Sequence, residues 1–185
     1  MKKVSMILAM LLAVSAAPAL AAYEKVGARK ELRDNRKDFM KQQKQENQAF
    51  RKDLKEMPKE DRLAAMQKQR QEQFAQNQTF IQSQHDKQVA ELNARLAANS
   101  KFTPDQKAAI QAQLEKQYQE NNTFRQQQFE KTQAYVNQIA SDPNLTPDQR
   151  RAALEKFRQQ QIQTAQNHFK TQRTENKDLR GTFKS

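Results

Sequence analysis

Histidine and methionine are the side chains of this sequence best suited to metal or acid–base chemistry. The chain contains no cysteine and two histidines, His85 and His168, which fall on different predicted helices. Neither histidine belongs to an HExxH motif, and there is no nucleophile elbow or glycine-rich phosphate loop. Met40, Met57 and Met66 do not cluster with either histidine in sequence. We therefore expect no enzyme activity, no cofactor and no metal site.

The phenylalanines offer a second kind of chemistry, the reversible binding of apolar protein segments. Several of them stand singly among lysine, arginine and flexible glutamine. Small apolar contacts in such surroundings can hold varied partners loosely, while the positive charge attracts acidic ones. The alternative is that phenylalanines at helical spacing are simply core residues. We call protein partners bound in this way clients. The candidate client-binding residues are Phe39, Phe50, Phe129, Arg33, Arg36 and Lys37.

Clusters of positive charge suggest a third possibility, contact with a polyanion. One cluster runs from Arg29 to Lys41, and another includes Arg150, Arg151 and Lys156. Such segments can bind anionic lipid, lipopolysaccharide or nucleic acid, or they can be solvated helix faces. Nucleic acid is the least favoured of these partners, because aromatic residues do not alternate regularly with the basic ones. Peripheral contact of the protein with an anionic surface of the cell envelope is a further alternative.

The amino terminus predicts export of the protein. Lys2 and Lys3 precede an apolar segment over residues 4–17, and Ala19-Leu20-Ala21 has the small-x-small pattern that signal peptidase cleaves after. The apolar segment falls short of the roughly 20 residues that a membrane-spanning helix needs, so a retained anchor is the less favoured alternative. We expect residues 1–21 to be a signal peptide and residues 22–185 to be a periplasmic protein.

Composition favours helices over a deep globular core. Of the 164 residues after Ala21, 26 are Leu, Ile, Val or Phe, below the roughly 20% at which compact single-core domains become hard to build. Glutamine occurs 30 times, and together with Lys, Glu, Arg and Ala it favours continuous helix. The sequence therefore predicts a single all-α domain over residues 22–185.

Proline clusters divide this domain into four long helices. We expect helices over residues 24–56, 59–98, 103–140 and 146–180, with short turns that make neighbouring helices antiparallel. Two of the starts have a threonine N-cap, proline at the first helical position and glutamine at the third, which together form a capping box. The predicted capping residues are Thr103, Pro104 and Gln106 for the third helix, and Thr146, Pro147 and Gln149 for the fourth.

An internal repeat of 44 residues supports this division. Ala64-Ala65-Met66, Ala108-Ala109-Ile110 and Ala152-Ala153-Leu154 recur at that interval. The aromatic position of Phe80 and Phe124 also recurs, although the third copy has His168 there. The repeats span about 57–100, 101–144 and 145–185, and the first helix is divergent.

In the third and fourth predicted helices, apolar residues recur at helical spacing and form a line along one side of the helix. Asparagine and glutamine occupy some positions of that line, as at Asn121 and Gln128 in the third helix. We call such a line, where a helix packs against its neighbour, a seam. Seams of this kind are thin and partly hydrated. Four antiparallel up-down helices could form a thin bundle or a flatter, cradle-like layer. A homodimer that shares the apolar positions of two chains would bury more surface, and we favour it.

Leu145-Thr146-Pro147-Asp148-Gln149 resembles the Leu-Thr-x-x-Gln motif of the Spy/CpxP family of periplasmic helical proteins, and residues 102–106 match it with Phe102 in place of leucine. The resemblance covers about residues 40–180. It implies a cradle-shaped helical dimer whose concave face holds unfolded or partly folded proteins. It also implies a structural role for the motif residues Thr103, Gln106, Thr146 and Gln149.

Two functions from different classes follow from these observations. The first is ATP-independent, chaperone-like binding of unfolded or partly folded proteins in the periplasm, of the kind used in envelope stress. The second is a structural role, in which a coiled-coil scaffold binds one specific partner or an anionic envelope component. The range of proteins bound distinguishes the two functions. A chaperone suppresses the aggregation of unrelated proteins, whereas a scaffold binds one partner.

Overall fold

Four α-helices and short connecting turns make up the described part of the protein. In a computed structural model of the chain, residues 26–183 are described, with only the backbone described for residues 26–29. Within that range there are no strands, so the all-α, four-helix prediction is confirmed. The predicted signal peptide, residues 1–21, lies outside the described residues. The helices are α1 (Val26–Glu56), α2 (Arg62–Ala98), α3 (Pro104–Ser141) and α4 (Pro147–Thr182).

The helices pair into two antiparallel hairpins, one formed by α1 and α2 and the other by α3 and α4. In the first hairpin, Phe39 stacks on Phe80, and Asn47, later in α1, bonds to Gln73, earlier in α2. In the second hairpin, contacts between α3 and α4 run in opposite directions in the same way. The antiparallel up-down arrangement is thus present within each hairpin.

Both predicted capping boxes are formed. The Thr103 hydroxyl accepts a hydrogen bond from the Gln106 backbone N–H at 3.2 Å, and the Gln106 side chain accepts one from the Thr103 N–H at 3.0 Å. Thr146 and Gln149 make the same two bonds at 3.3 and 2.8 Å. Pro104 and Pro147 follow the N-caps at the first helical position, where no backbone N–H is needed. These caps fix where α3 and α4 begin.

Helix α2 begins at Arg62, three residues later than predicted, because no capping box precedes it. Asp61 is its N-cap but makes no side-chain capping bond. Instead, the Asp61 N–H donates to the Pro58 carbonyl at 3.2 Å, which closes a turn after α1. The Arg62 guanidinium donates to the carbonyls of Met57 and Lys55 at 3.0 and 3.1 Å. It thereby satisfies carbonyl groups that the end of α1 leaves without helical partners.

No helix in the described part of the chain combines the length and the apolar character needed to cross a lipid bilayer.

Candidate functional site

The interior of this protein is unusual because amide side chains are buried while phenylalanines are not. Six glutamines and three asparagines are buried among the described residues. All ten phenylalanines of the chain lie in the described range, and each is only half-buried. Globular proteins normally show the reverse preference. Each phenylalanine ring therefore keeps part of its surface exposed, while amide side chains occupy buried positions between the helices.

In the first hairpin, four amide side chains form a connected network between α1 and α2. The Gln73 side chain donates to the Asn47 carbonyl oxygen Oδ1 at 2.8 Å, and Asn47 in turn donates to the Gln43 backbone carbonyl at 2.8 Å. Gln43 also donates to the Gln76 side chain. Since buried amides must be hydrogen-bonded to offset their desolvation, this network specifies one register for the pair of helices.

In the second hairpin, Gln117 on α3 and Asn176 on α4 exchange two side-chain hydrogen bonds, at 3.0 and 3.2 Å. One turn away, Asn121 is 1% exposed, and its Oδ1 lies 2.9 Å from Nε2 of His168. Because an amide oxygen can only accept, Nε2 of His168 carries the proton in this pair. Polar contacts thus form the middle of this seam as well.

Stacked rings cover the polar seams at intervals. Phe39 and Phe80 stack with ring centroids 4.1 Å apart in the first hairpin. In the second, the Phe124 ring stacks on the imidazole of His168 at 4.2 Å, with Phe169 packed edge-on at 6.2 Å from Phe124. Two further ring pairs lie along the second hairpin, Tyr135 with Phe157 at 4.2 Å and Phe102 with Phe183 at 6.1 Å.

The 44-residue repeat explains where the central stacks occur. Phe80, Phe124 and His168 occupy the same position of the three repeats, and each takes part in a stacked pair. The histidine of the third repeat thus keeps the flat ring that the position requires. Burial lowers the pKa of His168, and the positive charge of Arg125 also lowers it, while Glu120 and Glu175 act in the opposite direction. His168 therefore favours its neutral form.

Charged groups lie beside these rings. Burial also lowers the pKa of the Arg125 guanidinium to about 10, which leaves it charged at neutral pH. Lys116 bridges Glu120 at 3.5 Å and Glu175 at 3.2 Å, and its bond to Glu175 raises the pKa of the lysine. The second hairpin therefore combines half-buried rings with fixed charges of both signs.

The candidate client-binding residues fall on both hairpins. Five of them lie on α1, and Phe129 lies on α3. Phe39 is in the α1–α2 seam, where it stacks on Phe80, and its ring remains partly exposed. Arg33 and Lys37 are exposed on the side of α1 away from Phe39, and Lys37 pairs with Asp34 at 3.5 Å. Phe50, Phe129 and Arg36 are half-buried.

Sequence reasoning did not identify the ring pairs as units. The Phe124–His168 and Tyr135–Phe157 contacts join residues of different helices, and only the pairing of α3 with α4 brings them together. The available signal was the common repeat position of Phe80, Phe124 and His168. The half-buried rings and the adjoining basic side chains form the best candidate site for binding another macromolecule.

Metal ligands do not converge in the described part of the chain: no group of three or more His, Cys, Asp or Glu side chains there could hold a metal ion. His85 is buried, whereas the imidazole of His168 is stacked on Phe124.

Comparison of the chain with protein-family models, with curated proteins and with solved structures finds no match.

Proposed function

We propose that this protein is an ATP-independent periplasmic chaperone that binds unfolded or partly folded proteins on a basic, phenylalanine-bearing helical surface. One observation carries the proposal: none of the ten phenylalanines is buried, whereas nine glutamines and asparagines are. Rings that stay partly exposed can make brief apolar contacts with many different chains. Amide-bonded seams keep the helices paired without drawing those rings into a core.

Electrostatics supports the same proposal. The chain has a formal net charge of +12, and the basic residues Arg51, Arg125 and Lys170 each directly follow a phenylalanine in the sequence. Long-range attraction of this kind raises the rate at which acidic partners are captured. Salt screens it over about 10 Å at 0.1 M ionic strength, so clients held mainly by charge are released as salt rises. Apolar contacts to the rings persist under those conditions.

The resemblance to the Spy/CpxP family adds support from the helix caps. Thr103 and Gln106 are bonded to each other's backbone, as are Thr146 and Gln149. Their polar atoms are engaged in starting helices, which agrees with the structural role that the resemblance implies. The capping residues are accordingly not part of the proposed binding surface.

Aggregation of unfolded proteins provides the test. Two unrelated, chemically unfolded proteins are diluted into buffer without ATP, and light scattering is followed with and without the chain from Ala22 to Ser185. A chaperone suppresses scattering of both proteins at near-stoichiometric ratios. If neither is protected, the proposal is wrong, and a scaffold that binds one specific partner becomes the better hypothesis.

Variants then test whether the rings are responsible. Phe39→Ala combined with Phe129→Ala removes two partly exposed rings and should weaken suppression. The matched control is Leu114→Ala, which removes a buried side chain of α3 and leaves every phenylalanine in place. Loss of a buried leucine costs about 2–5 kcal/mol of stability, so this control reports the effect of destabilisation alone. Equal loss in both variants would contradict a role for the rings.

A further inference from the structure

One edge of α1 carries a long line of positively charged side chains. Residues spaced three and four apart lie on one side of an α-helix. Along α1 that spacing selects eight positions, of which seven are lysine or arginine and one is glutamine. All eight side chains are exposed. We call this line the α1 basic stripe; it consists of Lys30, Arg33, Lys37, Lys41, Lys44, Gln48, Arg51 and Lys55.

The stripe faces away from the paired helix. Phe39, Gln43 and Asn47 form the side of α1 that contacts α2, and none of them belongs to the stripe. The stripe extends from residue 30 to residue 55, which corresponds to about 37 Å of helix at 1.5 Å per residue. Its charges are therefore spaced along a nearly straight line on an exposed edge.

Acidic residues of α1 are segregated from this edge. None of the eight stripe positions is acidic, and the carboxylates lie on the other sides of the helix. Glu31 turns to α2, where it pairs with Lys87 at 3.0 Å, and this bond lowers the pKa of the carboxyl. Glu46 accepts a hydrogen bond from Gln42 at 2.8 Å. Asp34 pairs with Lys37 of the stripe at 3.5 Å. Most of the positive charge along the edge is thus left unneutralised.

Not every exposed helix face in the described part of the protein carries this density of positive charge. On α3, the corresponding exposed positions include Gln119, Thr123, Gln126 and Glu130, which carry little net charge. A solvated helix face needs only polar residues, as that example demonstrates. Seven of the eight positions of the α1 basic stripe are cations, which points to an anionic partner.

We propose that the α1 basic stripe docks the protein on the surface of an anionic lipid bilayer. A straight row of cations on a convex helix edge can touch a flat surface along its whole length. Five of the seven cations are lysines, whose long flexible stems let the ammonium groups reach headgroup phosphates. Each lysine or arginine near such a surface contributes about 1 kcal/mol of attraction. The stripe contains no aromatic ring for stacking nucleic-acid bases.

Vesicle binding tests this proposal independently of client binding. The chain from Ala22 to Ser185 contains every described residue and omits the apolar segment at residues 4–17, which would itself partition into lipid. It is sedimented with vesicles of phosphatidylcholine containing phosphatidylglycerol, and with vesicles of phosphatidylcholine alone. We expect binding to the anionic vesicles, weakening as salt is raised, and no binding to the neutral ones.

The stripe variant replaces four cations: Lys41→Gln, Lys44→Gln, Arg51→Gln and Lys55→Gln. Its matched control removes four exposed cations of α3 and α4, also three lysines and one arginine: Lys131→Gln, Lys170→Gln, Arg173→Gln and Lys177→Gln. Both variants lower the net charge equally, and none of these residues is a candidate for client binding. We expect the stripe variant to lose at least about tenfold in vesicle partitioning, and the control to change by less than about threefold.

Three results would overturn the proposal. One is the absence of binding to anionic vesicles by the unsubstituted chain. A second is an equal loss in the two variants, which would mean that net charge alone drives binding. The third is tighter binding to duplex DNA than to vesicles at equal salt, with loss in the stripe variant. That result would assign the stripe to a nucleic acid. Circular dichroism of each variant serves as the control that its helices are retained.

Discussion

Gln117 and Asn176 exchange reciprocal side-chain hydrogen bonds across the α3–α4 seam, at 3.0 and 3.2 Å, and both residues are buried. Gln117 also donates to the Gln172 backbone carbonyl at 3.3 Å. This amide pair occupies a buried position, where apolar side chains such as leucine and isoleucine are more usual. Its energetic role can be measured, because a buried hydrogen-bonded pair behaves differently from two independent polar residues.

Asn176→Leu alone should destabilise the second hairpin, because it leaves the side-chain oxygen of Gln117 buried without its hydrogen-bond donor. The expected cost is about 1–3 kcal/mol in the free energy of unfolding. Adding Gln117→Leu should restore most of that loss, since replacing both partners with apolar groups is close to neutral. Urea denaturation of the two single variants and the double variant measures the coupling. Additive effects of the two substitutions would show that the pair does not act as a unit.

Removing a helix cap should have a smaller but definite effect. Thr146→Ala takes away the hydroxyl that accepts the Gln149 N–H, and it should lower the free energy of unfolding by about 1 kcal/mol. The control is Thr164→Ala in the exposed middle of α4, where the hydroxyl bonds only to the Gln160 carbonyl. That change should be neutral or slightly stabilising, because alanine favours helix more than threonine does. Equal losses in thermal unfolding would argue against the cap.

Stability should also depend on the protonation of His168. Burial lowers the pKa of His168 below its usual 6.5, so the unfolded chain binds a proton more readily than the folded one. The resulting stabilisation is fully present above pH 6.5 and is lost as the pH falls through the pKa of the folded state. His168→Phe should flatten this part of the pH profile while keeping a ring against Phe124. Urea denaturation measured from pH 7.5 downwards checks the sign, and a drop in stability that is identical in both proteins would contradict it.

A homodimer remains a prediction about the assembly. Met40 on α1 and Leu63 on α2 each leave 37% of their surface exposed in one chain. A second copy could share such surfaces and bury more apolar area than one chain buries alone. Sedimentation equilibrium of the chain from Ala22 to Ser185 should therefore give twice the mass of one chain. A single-chain mass throughout the micromolar range would contradict the homodimer.

Much of the fold could be predicted from local sequence signals. The helix starts at α3 and α4 were predictable because Thr103 and Thr146 carry complete capping boxes. The start of α2 was misplaced by three residues because the turn after Pro58 depends on Arg62 bonding back to the end of α1. Such a contact between neighbouring elements has no signature in local composition.

The composition of the seam was harder to predict than its existence. In α4, Gln161 is buried, whereas its apolar neighbour Ile162 is half-buried. Hydrophobic periodicity fails here because amide side chains fill inward positions, and some of them bond to one another across the helices, as Gln117 and Asn176 do. The ring stacks depend on the same pairing register. Only once that register is fixed do Phe124 and His168 become neighbours.

The central claim, that partly exposed phenylalanine rings hold unfolded clients, is tested most directly by fluorine NMR. The chain is produced with 4-fluorophenylalanine at its ten phenylalanine positions and titrated with a permanently unfolded protein, and then with a folded protein as the control. Phe39 and Phe129 are assigned by substitution with leucine. We predict that the resonances of both residues shift or broaden with the unfolded client and stay unchanged with the folded one. Binding that leaves every fluorine resonance unchanged would contradict the account.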